Sequence, residues 1–282
     1  MRIYGLVKVI NKQKRIYGIK TKYQIYYIYF KRSLYQTFKN YLNEGTLIDL
    51  EVMAPLTREK HYVYPVYYIS KIKSLFLNKL YYSEERNNLS LKNLFKSIKN
   101  VLILDLEMTM PPYNYKGSFT PEILEMGYVL YDNKDNLKIN YNAYLKTSTK
   151  LNNRTSDFLN LEKKNYYKTS ISFYKAYNEL KKNLKKYKPA IIVYGKNDIL
   201  TLKRTFAKYN LPNLLNYIRI INLASLISSY YHHKNELGLF NLYNLYYKKE
   251  EEQVHDALDD AITTYHVYKA FKNDILEGKK SI

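Results

Sequence analysis

Two acidic residues stand at the end of a short apolar run in the segment VLILDLEMTM. The run from Val101 to Leu104 predicts a buried strand, and Asp105 and Glu107 follow it with one residue between them. Because side chains alternate between the two faces of a strand, both carboxylates point the same way. Like charges held together cost free energy unless a cation neutralises them, and Mg²⁺ and Mn²⁺ take such oxygen ligands. The pair therefore indicates a metal site, although solvated acids at an exposed strand end would give the same pattern.

Further residues of the same chemical type occur later in the chain. Asp198 follows the apolar run AIIVYG and begins a predicted helix, where aspartate is also a favoured N-cap. His255 and Asp260 belong to the segment HDALDDA at the start of the last predicted helix, which Asp256 could cap. Asp259 is adjacent to Asp260, so the two side chains point about 100° apart on a helix and only one can face a given centre. Each feature has an ordinary explanation when it is taken alone.

Taken together, the three blocks resemble the DEDDh superfamily of 3′–5′ exonucleases, which has an RNase H-like fold. Their order is Asp-x-Glu on a strand, Asp after a later strand, and His-x4-Asp on a C-terminal helix. The resemblance covers about residues 100–275. The segment FTPEILEMGYVLYD, after an insert behind the first block, is similar to the Eri-like and KapD-like branch, of which several members act on RNA.

This resemblance implies a two-metal phosphodiester hydrolase that releases nucleoside 5′-monophosphates from the 3′ end of a single strand. Asp105 would bridge two Mg²⁺ or Mn²⁺ ions. Glu107 and Asp260 would complete the ligands of the first ion, and Asp198 would support the second. His255 would accept the proton of the attacking water, since imidazole exchanges protons near neutral pH.

Residues 1–76 read as short strands rich in Val, Ile and Tyr, which predicts a small all-β barrel. The segments GLVKVIN and KRIYG resemble a cold-shock-type OB fold, and such folds bind single strands on aromatic side chains within a positive groove. The family's aromatic pair in the first block is replaced here by Val9 and Ile10. Alternation alone does not tell which tyrosines face the barrel interior. The candidate substrate contacts are basic and aromatic residues of this region, with two residues that follow the acidic strand pair: Lys8, Lys14, Arg15, Tyr17, Tyr27, Tyr29, Met108 and Thr109.

The predicted helices and strands that carry these residues fall into two regions. Behind the barrel at 1–76, residues 77–99 are polar and helix-prone and are predicted to be a connector. Residues 100–275 carry three strands followed by alternating helices and strands, which predicts a mixed α/β sheet with flanking helices. Residues 276–282 are a tail.

The chain has 282 residues and a net charge of +21, and its first 90 residues carry 16 Lys or Arg against 6 Asp or Glu. A field of this sign favours nucleic acid or an anionic membrane surface as partner, although AT-rich coding drift explains part of it. The chain contains no cysteine, which excludes disulfides and thiolate metal sites. It begins without a signal-peptide pattern, and no apolar run suggests a membrane span. We therefore predict a cytoplasmic protein without a membrane partner.

These observations predict a metal-dependent 3′–5′ exonuclease that acts on single-stranded nucleic acid, with RNA preferred. Two alternatives stay open. The same chemistry on DNA would serve proofreading or repair, and a catalytically inactive nucleic-acid-binding protein would keep the fold without the reaction.

Overall fold

The computed structural model describes most of the chain: residues 1–58, 61–233, 235–250 and 255–282. The chain divides into two compact units, Met1–Asn93 and Leu94–Ile282. In the described part, no helix is both long enough and apolar enough to cross a membrane.

The first unit is built around a closed barrel. Its elements are β1 Arg2–Asn11, β2 Ile16–Lys20, β3 Ile25–Tyr29, α1 Arg32–Phe38, β4 Thr46–Val52, β5 Leu56–Arg58, β6 His61–Ser74 and β7 Lys79–Ser83. Neighbouring strands pair in the order β3-β2-β1-β4-β6, and β3 closes the barrel by pairing in parallel with β6. Helix α1 fills the connection between β3 and β4. This arrangement is consistent with the predicted OB-like barrel.

The alternation of β2 and β3 decides which tyrosines face the barrel interior. Tyr17 has no exposed surface and packs edge-on against Phe30, with ring centroids 5.3 Å apart. Its partner across the strands is the buried Ile28. Tyr27 is 43% exposed and Tyr29 is partly exposed, because both point to the opposite face. The prediction that Tyr17 contacts substrate is therefore corrected, since a side chain without exposed surface offers no face to a base.

The segment predicted as a connector contains regular structure. Strand β7 pairs with β6, with Lys71 opposite Ser83. Helix α2, Glu84–Ser97, follows at once, and the division between the two units falls inside it. The structure thus extends the first unit beyond residue 76.

The second unit is a five-stranded mixed sheet flanked by helices, as predicted. Its elements are β8 Asn100–Met108, β9 Ile123–Asp132, β10 Leu137–Tyr144, α3 Asn153–Phe158, α4 Lys163–Thr169, α5 Phe173–Tyr187, β11 Ala190–Val193, α6 Asn197–Lys208, β12 Ile220–Asn222, α7 Leu223–Tyr231, α8 Leu239–Tyr247 and α9 Ala257–Glu277. The strand order is β10-β9-β8-β11-β12. Strands β8 to β10 pair antiparallel, whereas β8, β11 and β12 are parallel.

The two faces of this sheet bury different partners. Leu102, Leu104 and Leu106 of β8 share an apolar core with residues of α5 and α6 such as Tyr177 and Phe206. The alternate residues of β8 lie on the opposite face, which packs against α9. The face against α9 carries the acidic residues.

Candidate active site

Strands β8 and β9 bring the first acidic residues onto one surface. Asp105 pairs with Gly127, and Glu107 pairs with Glu125, directly across the antiparallel ladder. All four residues lie on the face that packs against α9, because each pair is two residues from the next. The sheet register therefore adds a third carboxylate to the two that the sequence singled out.

Asp198 reaches the same edge from the neighbouring strand. Strand β11 runs parallel to β8, so the carboxyl ends of both strands lie at one edge of the sheet. Gly195, with φ of +105°, turns the chain from β11 into α6, a conformation that few residues with a β-carbon adopt. Asp198 is the second residue of α6 and is only 6% exposed. Lys196 is the N-cap residue of α6, so the alternative of a helix cap does not account for this buried carboxylate.

His255 and Asp260 are held by the start of α9. The carboxylate of Asp256 accepts hydrogen bonds from the backbone N–H groups of Leu258 and Asp259, each at 3.0 Å, and so begins the helix. His255 directly precedes this cap, and its ring lies 4.4 Å from the ring of Phe158. Asp260, one turn later, is buried.

The described part of the chain contains one group of side chains with metal-ligand spacing. Glu107, His255 and Asp260 each contribute an atom, and these atoms lie within 4.8 Å of one another. Residues up to 153 positions apart in the sequence thus meet at one point. Asp259 is exposed, as expected for the member of the Asp-Asp pair that faces away.

Burial and mutual repulsion raise the pKa values of these carboxyl groups. Burial, followed by the charges of Asp198 and Asp260, raises the pKa of Asp105 well above its ordinary value. Burial raises the pKa of Glu107 to about 8, with Asp260 as the strongest charged neighbour. Burial also raises the pKa of Asp198 to about 7, although hydrogen bonds from the backbone of Asp198 and Leu106 oppose the rise. Ionising all of these carboxyl groups without a bound cation therefore costs free energy.

The donor set fits hard divalent cations. Ligand atoms of Glu107, His255 and Asp260 converge, and the carboxylates of Asp105, Asp198 and Glu125 lie close enough to interact with them by charge. Carboxylate oxygens are the ligands that Mg²⁺ and Mn²⁺ prefer. A cation in this position would offset the burial and the repulsion that together raise these pKa values. The arrangement can therefore hold divalent cations beside the imidazole of His255.

Glu125 and Gly127 also build this site, although neither was predicted from the sequence. Glu125 is 3% exposed, accepts a hydrogen bond from Asn142 Nδ2 at 2.8 Å, and accepts a longer one at 3.4 Å from the backbone N–H of Ala257. Gly127 leaves room for the same helix start, since a β-carbon there would be 2.3 Å from the carbonyl carbon of Ala257. The signal was an acid and a glycine inside the apolar strand ILEMGYVL.

The two predicted contacts behind the acidic pair have different surroundings. Met108 packs at the edge of the apolar core, and its sulfur accepts a hydrogen bond from Thr201 at 3.2 Å. Thr109 lines a small cavity of about 150 Å³ together with Phe119 and Asn152. Thr109 therefore borders open space next to β8, whereas Met108 is engaged in packing.

The insert that follows is tied to the start of α3. The backbone N–H of Met110 donates to Thr155 Oγ1 at 3.0 Å, and Asn152 Nδ2 donates to the Met110 carbonyl at 2.7 Å. These bonds hold the wall of the cavity that Thr109 lines.

The barrel candidates lie on the first unit. Lys8 and Lys14 are exposed. Arg15 donates to the Tyr29 hydroxyl at 3.0 Å, and the guanidinium of Arg58 lies 4.1 Å from the centre of the Tyr29 ring. Tyr27 keeps an open ring face on the barrel surface. Exposed cations and an exposed aromatic ring thus share the outer side of β1 to β3.

A family model described as an exonuclease, RNase_T, matches residues 102–268. The chain is also 28% identical over 183 residues to a protein of Bacillus subtilis named probable 3′-5′ exonuclease KapD. That similarity covers 62% of this chain and 85% of the relative.

Solved structures share the fold at low sequence identity. The nuclease domain of 3′hExo, a DEDDh family member bound to rAMP, is 16% identical with a TM-score of 0.51, over 64% of this chain and 94% of that domain. Cell-death related nuclease 4 is 20% identical with a TM-score of 0.53, over 64% of this chain and 65% of its own. A 3′-exonuclease that recognises a histone mRNA stem-loop is 16% identical with a TM-score of 0.52, over 72% of this chain and 77% of its own.

Proposed function

The chain belongs to the RNase_T exonuclease family, and from this premise we propose that it shortens single-stranded RNA from the 3′ end with two Mg²⁺ or Mn²⁺ ions. The products would be nucleoside 5′-monophosphates. The observation that carries the proposal is the meeting of Glu107, His255 and Asp260 within 4.8 Å of one another. Asp105 is close enough to Glu107 and Asp260 for their charges to add to burial in raising its pKa, and the charge of Asp198 raises the pKa of Glu107. A cytoplasmic location is part of the same proposal.

Each side chain has a proposed role in the displacement at phosphorus. Asp105, Glu107, Asp198 and Asp260 would hold the divalent cations, which supply charge neutralisation for the attacking and leaving oxygens. An imidazole nitrogen of His255 takes a proton from the attacking water as the water oxygen bonds to phosphorus. The bond from phosphorus to the 3′ oxygen of the preceding nucleotide breaks, and that oxygen takes a proton from solvent water, which leaves a 3′-hydroxyl on the shortened strand.

The preference for RNA is supported by the relatives and by the barrel. One structural neighbour is bound to rAMP, and another recognises a histone mRNA stem-loop. The exposed Tyr27 together with Lys8, Lys14 and Arg15 has the composition of a single-strand binding surface, in which bases stack and cations contact phosphates. We propose that the barrel, residues 1–76, holds the strand whose 3′ end is hydrolysed. Thr109 would border the terminal nucleotide.

The test uses one base sequence made as RNA and as DNA, each labelled at the 5′ end. The full chain is incubated with either strand in Mg²⁺, Mn²⁺ or chelator. A ladder that shortens from the 3′ end, faster for RNA and abolished by chelator or by Asp105→Ala, is the expected result. A strand that carries a 3′-phosphate in place of the hydroxyl reports whether the attack begins at the free end.

Two outcomes would change the proposal. Faster shortening of the DNA strand would replace RNA by DNA as the substrate. Internal cuts, or shortening that persists in chelator and in the Asp105→Ala variant, would overturn the proposed mechanism.

A further inference from the structure

A second open site lies at the opposite end of the same sheet. A cavity of about 770 Å³ opens where β8, β11 and β12 begin. Five of its lining residues are cations, a set we name the basic cavity: Lys99, Lys181, Lys185, Lys188 and Arg219. Asn100 at the start of β8 is five residues from Asp105, about 17 Å along the strand. The basic cavity and the carboxylates therefore occupy different ends of β8.

The fold brings these cations together from separate parts of the chain. Lys99, Lys188 and Arg219 each stand at most two residues before one of the three parallel strands. The amino ends of parallel strands share one edge of a sheet, so the three cations converge there. Lys181 and Lys185 are one turn apart on α5 and lie on the same side of that helix.

The charge of the basic cavity is not balanced locally. No lining residue is an aspartate or glutamate. Within the described ranges, none of the five cations has a carboxylate oxygen within 4.0 Å. The C-terminus of α5 favours nearby cations, which accounts for Lys185 and Lys188. It does not account for Lys99 and Arg219, which come from other elements.

Hydrogen bonds connect the elements that line the cavity, and an exposed aromatic ring is among the lining residues. Asn100 Nδ2 donates to the Tyr187 carbonyl at 2.7 Å, which joins the start of β8 to the end of α5. Arg219 Nη1 donates to Ser97 Oγ at 3.5 Å. Tyr217, another lining residue, is fully exposed. Cations beside an exposed aromatic ring are the composition with which proteins hold single strands.

We propose that the basic cavity binds the phosphate backbone of single-stranded RNA as a second contact, separate from the carboxylate site. The identity of the strand as RNA rests on the function proposed above. The cavity would hold an internal part of a long strand, so its contribution depends on substrate length. Lys181, Lys185 and Arg219 contact phosphates, and Tyr217 offers its ring to a base.

The test compares two triple variants of the full chain that lose the same charge. The first is K181Q/K185Q/R219Q in the basic cavity. The second is K164Q/K168Q/K175Q, whose three lysines are exposed and do not line the cavity. Binding of a labelled 24-nucleotide RNA is measured by anisotropy in chelator over a series of salt concentrations, and thermal unfolding of each variant is recorded.

The cavity variant should raise the Kd for the long strand about tenfold. It should also reduce the slope of log Kd against log salt concentration by about 2, because each of the three lost phosphate contacts removes about 0.7. The control variant should change the Kd less than threefold. Hydrolysis of a trinucleotide should keep its kcat/KM in both variants, because the trinucleotide is too short to reach the cavity.

Equal binding and equal salt slope in the cavity variant and the wild type would overturn the proposal. Failure of the wild type to hydrolyse the trinucleotide would instead contradict the proposed function and leave the binding comparison valid. If the triple variant does not fold, R219Q and Y217A are each measured alone. Each should weaken long-strand binding about threefold, and only R219Q should flatten the salt slope. No change in either single variant would equally overturn the proposal.

Discussion

Gly127 of β9 lies against Ala257, the first residue of α9, so closely that a β-carbon at position 127 would stand 2.3 Å from the Ala257 carbonyl carbon. This contact sets how near the helix start comes to the sheet. His255 and Asp260 flank Ala257, whereas Asp105 pairs with Gly127 across the strands. The distance between the two halves of the acidic cluster therefore depends on a glycine that takes no part in the chemistry.

Gly127→Ala should push the start of α9 away from the sheet and separate Asp260 from Asp105. We expect a loss of exonuclease rate of about a hundredfold, as a misplacement of about 1 Å can cause. The free energy of unfolding should fall by about 1–3 kcal/mol through overpacking. Ladder assays and denaturant unfolding measure the two effects. Gly238→Ala is the control, because its nearest atom is 3.6 Å away. Wild-type activity in Gly127→Ala would contradict the positioning role of this contact.

Adjacent aspartates at the start of α9 should respond differently to the same change. Asp260→Asn removes a buried carboxylate from the cluster, and we expect the rate to fall by about two orders of magnitude or more. Asp259→Asn changes an exposed side chain and should leave the rate within about twofold. Initial rates at saturating Mg²⁺ or Mn²⁺ on the same RNA measure both. Similar rates for the two variants would exclude Asp260 as a proposed metal ligand.

The chain without divalent cations should lose stability as the pH rises from 6 to 8.5. The folded-state pKa of Glu107 is about 8 and that of Asp198 is about 7, both above ordinary carboxyl values. The folded state then binds more protons than the unfolded state across this interval, so deprotonation favours unfolding. A decrease of about 1–3 kcal/mol is expected, since one pKa unit corresponds to about 1.4 kcal/mol.

Thermal and urea unfolding in chelator, repeated with Mg²⁺ or Mn²⁺, test this pH dependence. The cation should remove most of the loss, because it neutralises the same carboxylates. Glu107→Gln should flatten the profile in chelator. A profile in chelator that is flat for the wild type would show that burial and repulsion do not raise the pKa values of these carboxyl groups as described.

Substitutions of two barrel tyrosines should have different effects on folding stability and on RNA binding. Tyr17→Ala empties a site in the barrel core and should lower the unfolding free energy by about 3–5 kcal/mol. Tyr27→Ala removes an exposed ring and should change stability by less than about 0.5 kcal/mol. It should weaken RNA binding by about 1–3 kcal/mol if a base stacks on this ring. Anisotropy and urea unfolding measure both variants. Unchanged RNA binding in Tyr27→Ala would remove this ring from the proposed binding surface.

The features that were predictable from the sequence are those that depend on local periodicity. Strand alternation placed Asp105 and Glu107 on one face, and helical geometry separated Asp260 from Asp259, because both rules depend on near neighbours in the chain. The order of apolar runs predicted the mixed sheet. The short helices α3 and α4 and strand β7 were not predicted, since their segments are brief and polar and depend on tertiary contacts.

Which face of each strand or helix is buried, and against which other element, depends on the tertiary structure. Whether Tyr17 or Tyr27 points into the barrel depends on how β3 closes onto β6, and the alternation of one strand carries no such information. Glu125 and Gly127 became parts of the site through sheet register and the docking of α9. The basic cavity combines the starts of three parallel strands that are far apart in the chain. The residue types and the faces of single helices and strands could be assigned from the amino-acid sequence alone. Only packing between distant segments decided which of those faces meet, because that choice depends on contacts no local pattern contains.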